Sequence, residues 1–336
     1  MIYLGDYCTN IQVVADQWEL KLREFLFDKR KNKLRINNVG IYETYFEKMF
    51  GEVEISSLNY DEKDSVREKL NWFKNNFREI ILADENKLDE LSKEKVPQLL
   101  SEIMKKLYED FTQQKVDGVS NAHYFFRELN IRTCPYCNRH YTFTLDETVR
   151  VAPEFDHFYD KANHPLSAVS FYNLVPSCHT CNHIKGNNKV KINPYFSGFK
   201  RKFELQNENG ERMPLDEIIK QKKAKRIGFG NLGNTEDDKR RLEDEQRNIE
   251  TFGLQEIYGM HDDYINEIIE KTIAYSPTVQ QLLVDAFQDQ AHSPQQVYDF
   301  VWGKYLNDAQ YQRRPLSKLT KDILEQLGAA PEDYFQ

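Results

Sequence analysis

Four of the five cysteines stand in two short pairs whose spacing suits a metal ion. The pairs read CPYC (134–137) and CHTC (178–181), and 40 residues separate them. A Cys-x-x-Cys turn brings two sulfur atoms to one ion, and two such turns complete the tetrahedral coordination that Zn²⁺ prefers. A single pair would also suit a redox-active dithiol, but two pairs favour zinc. The sequence therefore predicts one structural zinc ion with four thiolate ligands: Cys134, Cys137, Cys178 and Cys181.

A closed four-thiolate site has no open position for water, so any catalysis must use other side chains. The stretch between and just after the two pairs supplies them. FDHF contains Asp156 and His157, and FYNLV contains Asn173. In CNHIKGNN, Asn182 directly follows the last cysteine. A neutral imidazole can accept a proton near physiological pH, and carboxylate and amide oxygens are ligands that Mg²⁺ binds. These residue types are suited to metal-assisted hydrolysis.

The order of these motifs resembles the HNH endonucleases, which have a ββα-metal fold. The resemblance covers residues 134 to about 194. It implies hydrolysis of DNA phosphodiester bonds with one catalytic Mg²⁺ or Mn²⁺. His157 matches the general base of the family, and Asn173 matches the residue that orients it. Asp156 and Asn182 match the two ligands of the catalytic cation.

The last letter of the motif is often His in this family, and here it is Asn182. An amide oxygen can still bind Mg²⁺. The family places this ligand directly after the last cysteine, so we assign Asn182. His183, the next residue, is the alternative ligand.

A basic segment, residues 184–226, begins just after the second cysteine pair. It contains 12 Lys and Arg against 5 Asp and Glu. Such a run is often only a solvated surface, but its position beside the motif favours contacts with phosphate groups. We therefore expect Lys185 and Lys189 to bind phosphate. Residues 227–336 are acidic, with 10 Lys and Arg against 20 Asp and Glu.

Helices are expected to position this central region from both sides. Apolar residues recur at the spacing of a buried helical face over 99–111 and over 70–80. Short strands are expected in HYTFTL and VRVAPEF, around the turn DET, and in NLVPSC. RIGFGNLGN (226–234) is the expected linker.

We therefore predict an α+β, mostly helical fold in which a small zinc-stapled ββα-metal core lies between two helical regions. The predicted regions are 1–130, which is helical; 131–226, the nuclease core with its basic extension; and 227–336, which is acidic and helical.

Composition limits the class of protein. The 336 residues are 40% apolar and carry a net charge of −8, which indicates a folded chain with two or three folding units. No run of about 18 apolar residues and no signal peptide is present, so we expect a cytoplasmic protein without membrane contacts. The cysteine pattern does not suit a disulfide framework, and the leftover Cys8 is expected to be a small buried apolar residue.

The layout as a whole resembles a second, narrower group. Helical regions around a CPYC core, followed by RPLSKLTKDI, are similar to the HNH proteins of Septu-type phage-defence systems, in which the nuclease works with an ABC-class ATPase. This resemblance implies a defence effector that cuts DNA, expected to be double-stranded. It also implies an ATPase partner that docks on the acidic helical surface and through which the chain oligomerises.

Two other functions are compatible with the same motifs. One is a catalytically silent zinc-ribbon module that binds nucleic acid or assembles other proteins. The other is a homing or mobile-element endonuclease, which needs long DNA-reading surfaces, and the acidic flanks weigh against it.

Overall fold

The computed structural model describes residues 1–28, 33–36, 39–42, 44–145, 151–224, 226–275, 277–288 and 293–329. Within these residues the chain is mostly helical, and its strands form four two-stranded antiparallel sheets. The expected α+β, mostly helical class is confirmed at this level. The chain divides into two compact units, neither of which is continuous in sequence. The N-terminal unit contains residues 8–131 and 142–189, and the C-terminal unit contains residues 1–7, 132–141 and 190–336.

The N-terminal unit consists of helices and short hairpins. Its helices are α1 (Ile11–Phe27), α2 (Tyr45–Ile55), α3 (Tyr60–Asn75), α4 (Phe77–Ile81), α5 (Glu85–Lys93), α6 (Gln98–Gln113), α7 (Asn121–Leu129) and α8 (His179–Lys185). Its strands are β1 (Lys33–Ile36), β2 (Val39–Tyr42), β3 (Lys115–Val116), β4 (Val119–Ser120), β5 (Glu154–His157) and β6 (Leu174–Ser177).

Both expected apolar faces are buried, but only one lies on a single helix. The face over 99–111 belongs to α6, where five apolar side chains are at most 2% exposed: Leu100, Ile103, Met104, Leu107 and Phe111. The face over 70–80 is divided between α3 and α4. Asn76 ends α3, and its side chain donates a hydrogen bond to the carbonyl of Trp72, 2.8 Å away.

Trp18 of α1 lies at the centre of this core. Its side chain is fully buried, and its indole N–H donates to the carbonyl of Val169 at 2.9 Å. Four phenylalanine rings surround it with centroid distances from 4.7 to 6.2 Å: Phe111, Phe125, Phe155 and Phe171. Because Phe155 belongs to β5, the aromatic core fixes the strand that carries the proposed catalytic residues.

Cys8 also belongs to the N-terminal unit, and its expected burial is confirmed. Its side chain is 7% exposed, and its thiol donates to the carbonyl of Leu129 at 3.3 Å. Burial raises the pKa of the Cys8 thiol to about 11.

Two strands and a helix form the region that the cysteine pairs bracket. β5 pairs antiparallel with β6, with Asp156 opposite Val175 and His157 opposite Leu174. Helix α8 follows directly, and Cys178 is its N-cap. The strand expected in NLVPSC is thus confirmed. The turn expected at DET lies outside the described residues, and beside it the Leu145 N–H donates to the Val151 carbonyl at 2.9 Å.

The C-terminal unit holds the remaining elements. Its strands are β7 (Phe203–Gln206) and β8 (Arg226–Phe229), and its helices are α9 (Leu215–Gln221), α10 (Glu236–Thr251), α11 (Leu254–Gly259), α12 (Asp262–Ala274), α13 (Pro277–Gln288), α14 (Pro294–Trp302) and α15 (Ser317–Gln326). Thr235 and Ser293 accept hydrogen bonds from backbone N–H groups in the first turns of α10 and α14. Among the helices of the described residues, none has the length and apolar character needed to cross a bilayer.

The linker expected over 226–234 is wrong in its first half. Residues Arg226–Phe229 form β8, which pairs antiparallel with β7. Two side chains of α15 complete the sheet edge, because Asp322 accepts from the Phe203 N–H at 2.9 Å and Gln326 accepts from the Leu205 N–H at 2.7 Å. The glycines that suggested a linker alternate with Ile227 and Phe229, which are buried, so the segment is a strand with one apolar face.

Candidate catalytic and metal-binding site

The four paired cysteines form one cluster. The sulfur atoms of Cys134, Cys137, Cys178 and Cys181 all lie within 4.8 Å of one another, and each residue is at most 8% exposed. Tetrahedral zinc with Zn–S bonds of about 2.3 Å would place its sulfur ligands about 3.8 Å apart. The cluster therefore fits one metal ion such as zinc. Within the described part of the chain, it is the only group of three or more His, Cys, Asp or Glu residues with this proximity.

Strand β5 and helix α8 position the polar side chains of the proposed catalytic site. Residues two apart on a strand point to the same face, and residues three apart on a helix lie side by side. Glu154 and Asp156 therefore share one face of β5, and Asn182 and Lys185 share one face of α8. The structure pairs them in order, since Glu154 contacts Asn182 and Asp156 contacts Lys185.

The Asp156–Lys185 pair is buried. The Lys185 ammonium donates to Asp156 Oδ1 at 3.1 Å and to the carbonyl of His157 at 2.6 Å. Lys185 is fully buried and Asp156 is 2% exposed. A buried ion pair needs such additional hydrogen bonds, because each charge has lost its water. In this arrangement the Lys185 ammonium is enclosed by protein oxygen atoms, and Asp156 Oδ1 is bonded to a cation of the protein itself.

His157 points to the other face of β5, as expected for the neighbour of Asp156. Its Nε2 lies 3.0 Å from the carbonyl of Ala168, and its ring packs edge-on against Tyr108 with centroids 4.5 Å apart. A carbonyl oxygen can only accept, so Nε2 carries the proton and Nδ1 keeps its lone pair. Burial, reinforced by the charge of Lys161, lowers the pKa of His157 to about 3. The imidazole is therefore neutral near pH 7.

Asn173 fastens the loop that follows β5. Its side chain is fully buried and accepts from the Tyr159 N–H at 2.8 Å. Its amide group donates to the carbonyls of Tyr159 and Ser167, both at 3.0 Å. The backbone carbonyl of Asn173 accepts from the Phe158 N–H at 2.8 Å. Asn173 thus joins the residues directly after His157 to the segment just before Ala168.

Glu154 is a site residue that sequence reasoning missed. Its carboxylate accepts from Asn182 Nδ2 at 2.6 Å and lies 2.8 Å from His179 Nδ1. Burial alone would raise its pKa, but the hydrogen bonds from Asn182 and His179 outweigh it, so the pKa of Glu154 is lowered. The available signal was its position two residues before Asp156, on the same strand face.

Carboxylate and amide oxygens at this end of α8 are of the type that Mg²⁺ binds. Glu154 and Asn182 are half-buried and lie together, whereas Asp156 is bonded to Lys185. The other residues named from the sequence, His183 and Lys189, are exposed. The His183 ring stacks on that of His179 with centroids 5.9 Å apart.

Comparison of the chain with models of protein families, with curated proteins and with solved structures finds no match.

Proposed function

We propose that the N-terminal unit carries a metal-dependent endonuclease site of the HNH type, which hydrolyses phosphodiester bonds of DNA. The observation that supports this most directly is the state of His157. Its Nε2 is bonded to the Ala168 carbonyl, and its Nδ1 has no hydrogen-bond partner among the described residues. A neutral imidazole fixed in this tautomer has the lone pair that a general base needs.

In the proposed reaction, His157 Nδ1 takes a proton from the attacking water. Asn173 acts as a positioning residue, because its four hydrogen bonds fix the loop that runs from His157 to Ser167. A divalent cation, Mg²⁺ or Mn²⁺, would neutralise charge on the phosphate and on the departing oxygen. Asp156 and Asn182 would hold this cation, and Glu154 would add a third oxygen ligand beside Asn182.

Cation binding by Asp156 requires one rearrangement. For the cation to bind Asp156 Oδ1, the Lys185 ammonium must leave this oxygen, since two cations on one buried oxygen repel each other strongly. Under this proposal Lys185 holds Asp156 in the absence of the cation and turns towards phosphate when the cation binds. The phosphate-binding roles of Lys185 and Lys189 thus stay predictions.

Plasmid cleavage tests the proposal. The purified chain, incubated with supercoiled plasmid and Mg²⁺ or Mn²⁺, is expected to convert it to nicked or linear DNA. His157→Ala is expected to lower the rate about 10²- to 10⁴-fold, the usual contribution of a general base. The matched control is His123→Ala, because His123 lies on α7 of the same unit and is also half-buried. Cleavage by His157→Ala at the wild-type rate would refute the role of His157.

The second candidate is the catalytically silent module that binds nucleic acid through a zinc-stapled core. The observation that favours it is that both predicted cation ligands already have protein partners, Asp156 with Lys185 and Asn182 with Glu154. This candidate predicts nucleic-acid binding without cleavage in any divalent cation, and binding that is unchanged in His157→Ala. The first candidate predicts cation-dependent cleavage, so one assay separates them.

We also propose a setting, a bacterial anti-phage system in which an ABC-class ATPase controls the nuclease. Its supports are the layout of helical regions around the core and the acidic charge of residues 227–336. The test is co-purification of the chain with an ATPase encoded beside it. Failure to co-purify at low ionic strength would count against this setting and leave the proposed chemistry untouched.

A further inference from the structure

The first cysteine pair anchors two distant segments of the C-terminal unit. Asn138, which follows Cys137, has a left-handed backbone with φ of 48°. Its side-chain amide donates to the Tyr311 carbonyl at 3.0 Å, and its carbonyl accepts from the Leu316 N–H at 2.7 Å. The Cys137 carbonyl accepts a hydrogen bond from the Tyr258 hydroxyl. Residues 303–316 and the end of α11 are therefore held against this loop.

Five basic residues lie on the segments that these anchors bring together, and we call them the basic patch: Arg132, Arg139, Lys304, Arg313 and Arg314. Direct bonds connect their segments. The Arg132 N–H donates to the Gln312 side chain at 3.0 Å, and Arg139 Nε donates to His261 Nε2 at 2.9 Å. Burial, and then the charge of Arg139, lowers the pKa of His261. Burial, and then the charge of Arg314, lowers the pKa of Lys304.

No carboxylate of the described residues lies within 4.0 Å of a basic-patch cation, whereas two other lysines of this unit each have a close carboxylate partner. Lys202 contacts Glu325 at 2.5 Å, and Lys318 contacts Asp322 at 2.6 Å. Two carboxylates act on these cations from a longer distance: Asp299 on Arg313 and Arg314, and Glu267 on Lys304. Arg314 donates one N–H to the Gly303 carbonyl at 2.8 Å, and Arg139 donates its Nε proton to His261. The other N–H groups of these arginines are available to a ligand.

Aromatic rings hold these cations in place. The guanidinium carbons of Arg313 and Arg314 lie 4.0 and 5.1 Å from the centroid of Tyr305, and the Lys304 ammonium lies 4.9 Å from that of Tyr264. Arg313 and Arg314 are exposed. A guanidinium that stacks on a ring keeps its N–H donors at the edge of its plane, where they can form paired hydrogen bonds with phosphate.

We infer that the basic patch binds the phosphodiester backbone of DNA. The inference rests on the proposed function for its choice of DNA, and it adds a substrate contact in a part of the chain whose overall charge is acidic. Four of the five cations are arginines, whose planar forks form paired hydrogen bonds with phosphate as well as with carboxylate, and the proposed cleavage of DNA decides for phosphate. Burial, and after it the charge of Arg314, lowers the pKa of Lys304, and bound phosphates would offset that charge.

The test is direct binding of a fluorescein-labelled 30-base-pair duplex to the full chain, by anisotropy, without added divalent cation. The variant carries Arg313→Ala and Arg314→Ala. The matched control carries Lys95→Ala and Lys105→Ala. These changes remove the same charge from two lysines of the N-terminal unit that have no ion pair with another described residue. We expect the Kd of the patch variant to rise at least tenfold and the control Kd to change less than twofold. The slope of log K against log salt should fall by about 1.8, since each lost phosphate contact removes about 0.9.

Each outcome decides between alternatives. A patch variant with wild-type Kd and salt slope overturns the inference, and so does polyglutamate that competes as well as unlabelled DNA at equal charge. Arg313→Gln with Arg314→Gln, checked by its melting curve, replaces the alanine variant if that one unfolds. If the patch variant loses binding while wild-type protein never cleaves, the proposed nuclease activity fails and the basic patch stands. If wild-type protein cleaves and the patch variant binds normally, only the basic patch fails.

Discussion

The Lys185 ammonium lies 3.1 Å from Asp156 Oδ1, and the two side chains are 0% and 3% exposed. Removing one partner of a buried pair leaves an uncompensated charge, at a cost of about 3–5 kcal/mol. We expect Lys185→Met to lower the free energy of unfolding by about this amount. Urea titrations in buffer without added divalent cation measure this change. An unchanged midpoint would mean that Asp156 is not held by this pair.

The same variant reports on the proposed cation site. If Asp156 binds Mg²⁺, Lys185→Met removes the competing ammonium, so millimolar Mg²⁺ should stabilise this variant more than it stabilises the wild type. Asp156→Asn with Lys185→Met is the control, because it lacks the carboxylate and should not respond to Mg²⁺. An equal response of the two variants would argue against Asp156 as a ligand.

Zinc content follows from the cysteine cluster. Purified protein is expected to contain one zinc ion per chain by elemental analysis, since four sulfur atoms within 4.8 Å fit one ion. Cys134→Ala should lower both zinc content and melting temperature, because metal binding contributes folding free energy. Cys8→Ala is the control and should keep the zinc. Loss of cleavage by Cys134→Ala with full thermal stability would contradict a purely structural role for the zinc.

Asn173→Ala tests the loop after β5. The substitution leaves the Tyr159 N–H and carbonyl without their present partners, and an unsatisfied buried group costs about 1–3 kcal/mol. We expect a destabilisation of this size and slower plasmid cleavage, because the loop beside His157 loosens. Asn163→Ala serves as the control, since within the described residues the Asn163 side chain bonds only to Asp160 of its own turn. Equal cleavage rates for Asn173→Ala and wild type would remove Asn173 from the site.

The titration of His261 tests the electrostatics of the basic patch. Burial, and then the charge of Arg139, lowers the pKa of His261 below its ordinary value. As the pH falls, His261 is protonated in the unfolded chain at a higher pH than in the folded chain. The free energy of unfolding therefore falls as the pH drops from about 6.5 towards the folded pKa of His261. An NMR titration should give a midpoint below 6.5 for His261, and Arg139→Ala should raise it. If Arg139→Ala leaves the midpoint unchanged, the charge of Arg139 does not act on His261.

Local patterns in the sequence predicted much of this architecture. The spacing of apolar residues predicted α6 and the buried positions of α3 and α4, and the cysteine spacing predicted the metal-binding cluster. The strand pattern of NLVPSC predicted β6. Each of these features depends on residues that are close together in sequence, or on paired cysteines, for which metal binding is one of few possible roles.

Relationships between distant segments could not be read in the same way. RIGF was expected to be a linker because of its glycines, and only its partner strand β7 explains why it is extended and buried. The partner of Lys185 was equally hidden, because a lysine in a basic segment suggests phosphate until Asp156 is found beside it. Each compact unit consists of segments that are separated in sequence. Sequence patterns could only suggest consecutive regions, such as 1–130, 131–226 and 227–336.

The make-up of the C-terminal unit has a consequence for how fast this unit folds. The Ile2 N–H donates to the Pro135 carbonyl, and Asp322 of α15 accepts from the Phe203 N–H. Contacts of this kind join residues that lie far apart in sequence, so a long loop must close before each of them can form. High contact order slows folding, so we expect the sheet of β7 and β8 to form late, after the local helices of this unit.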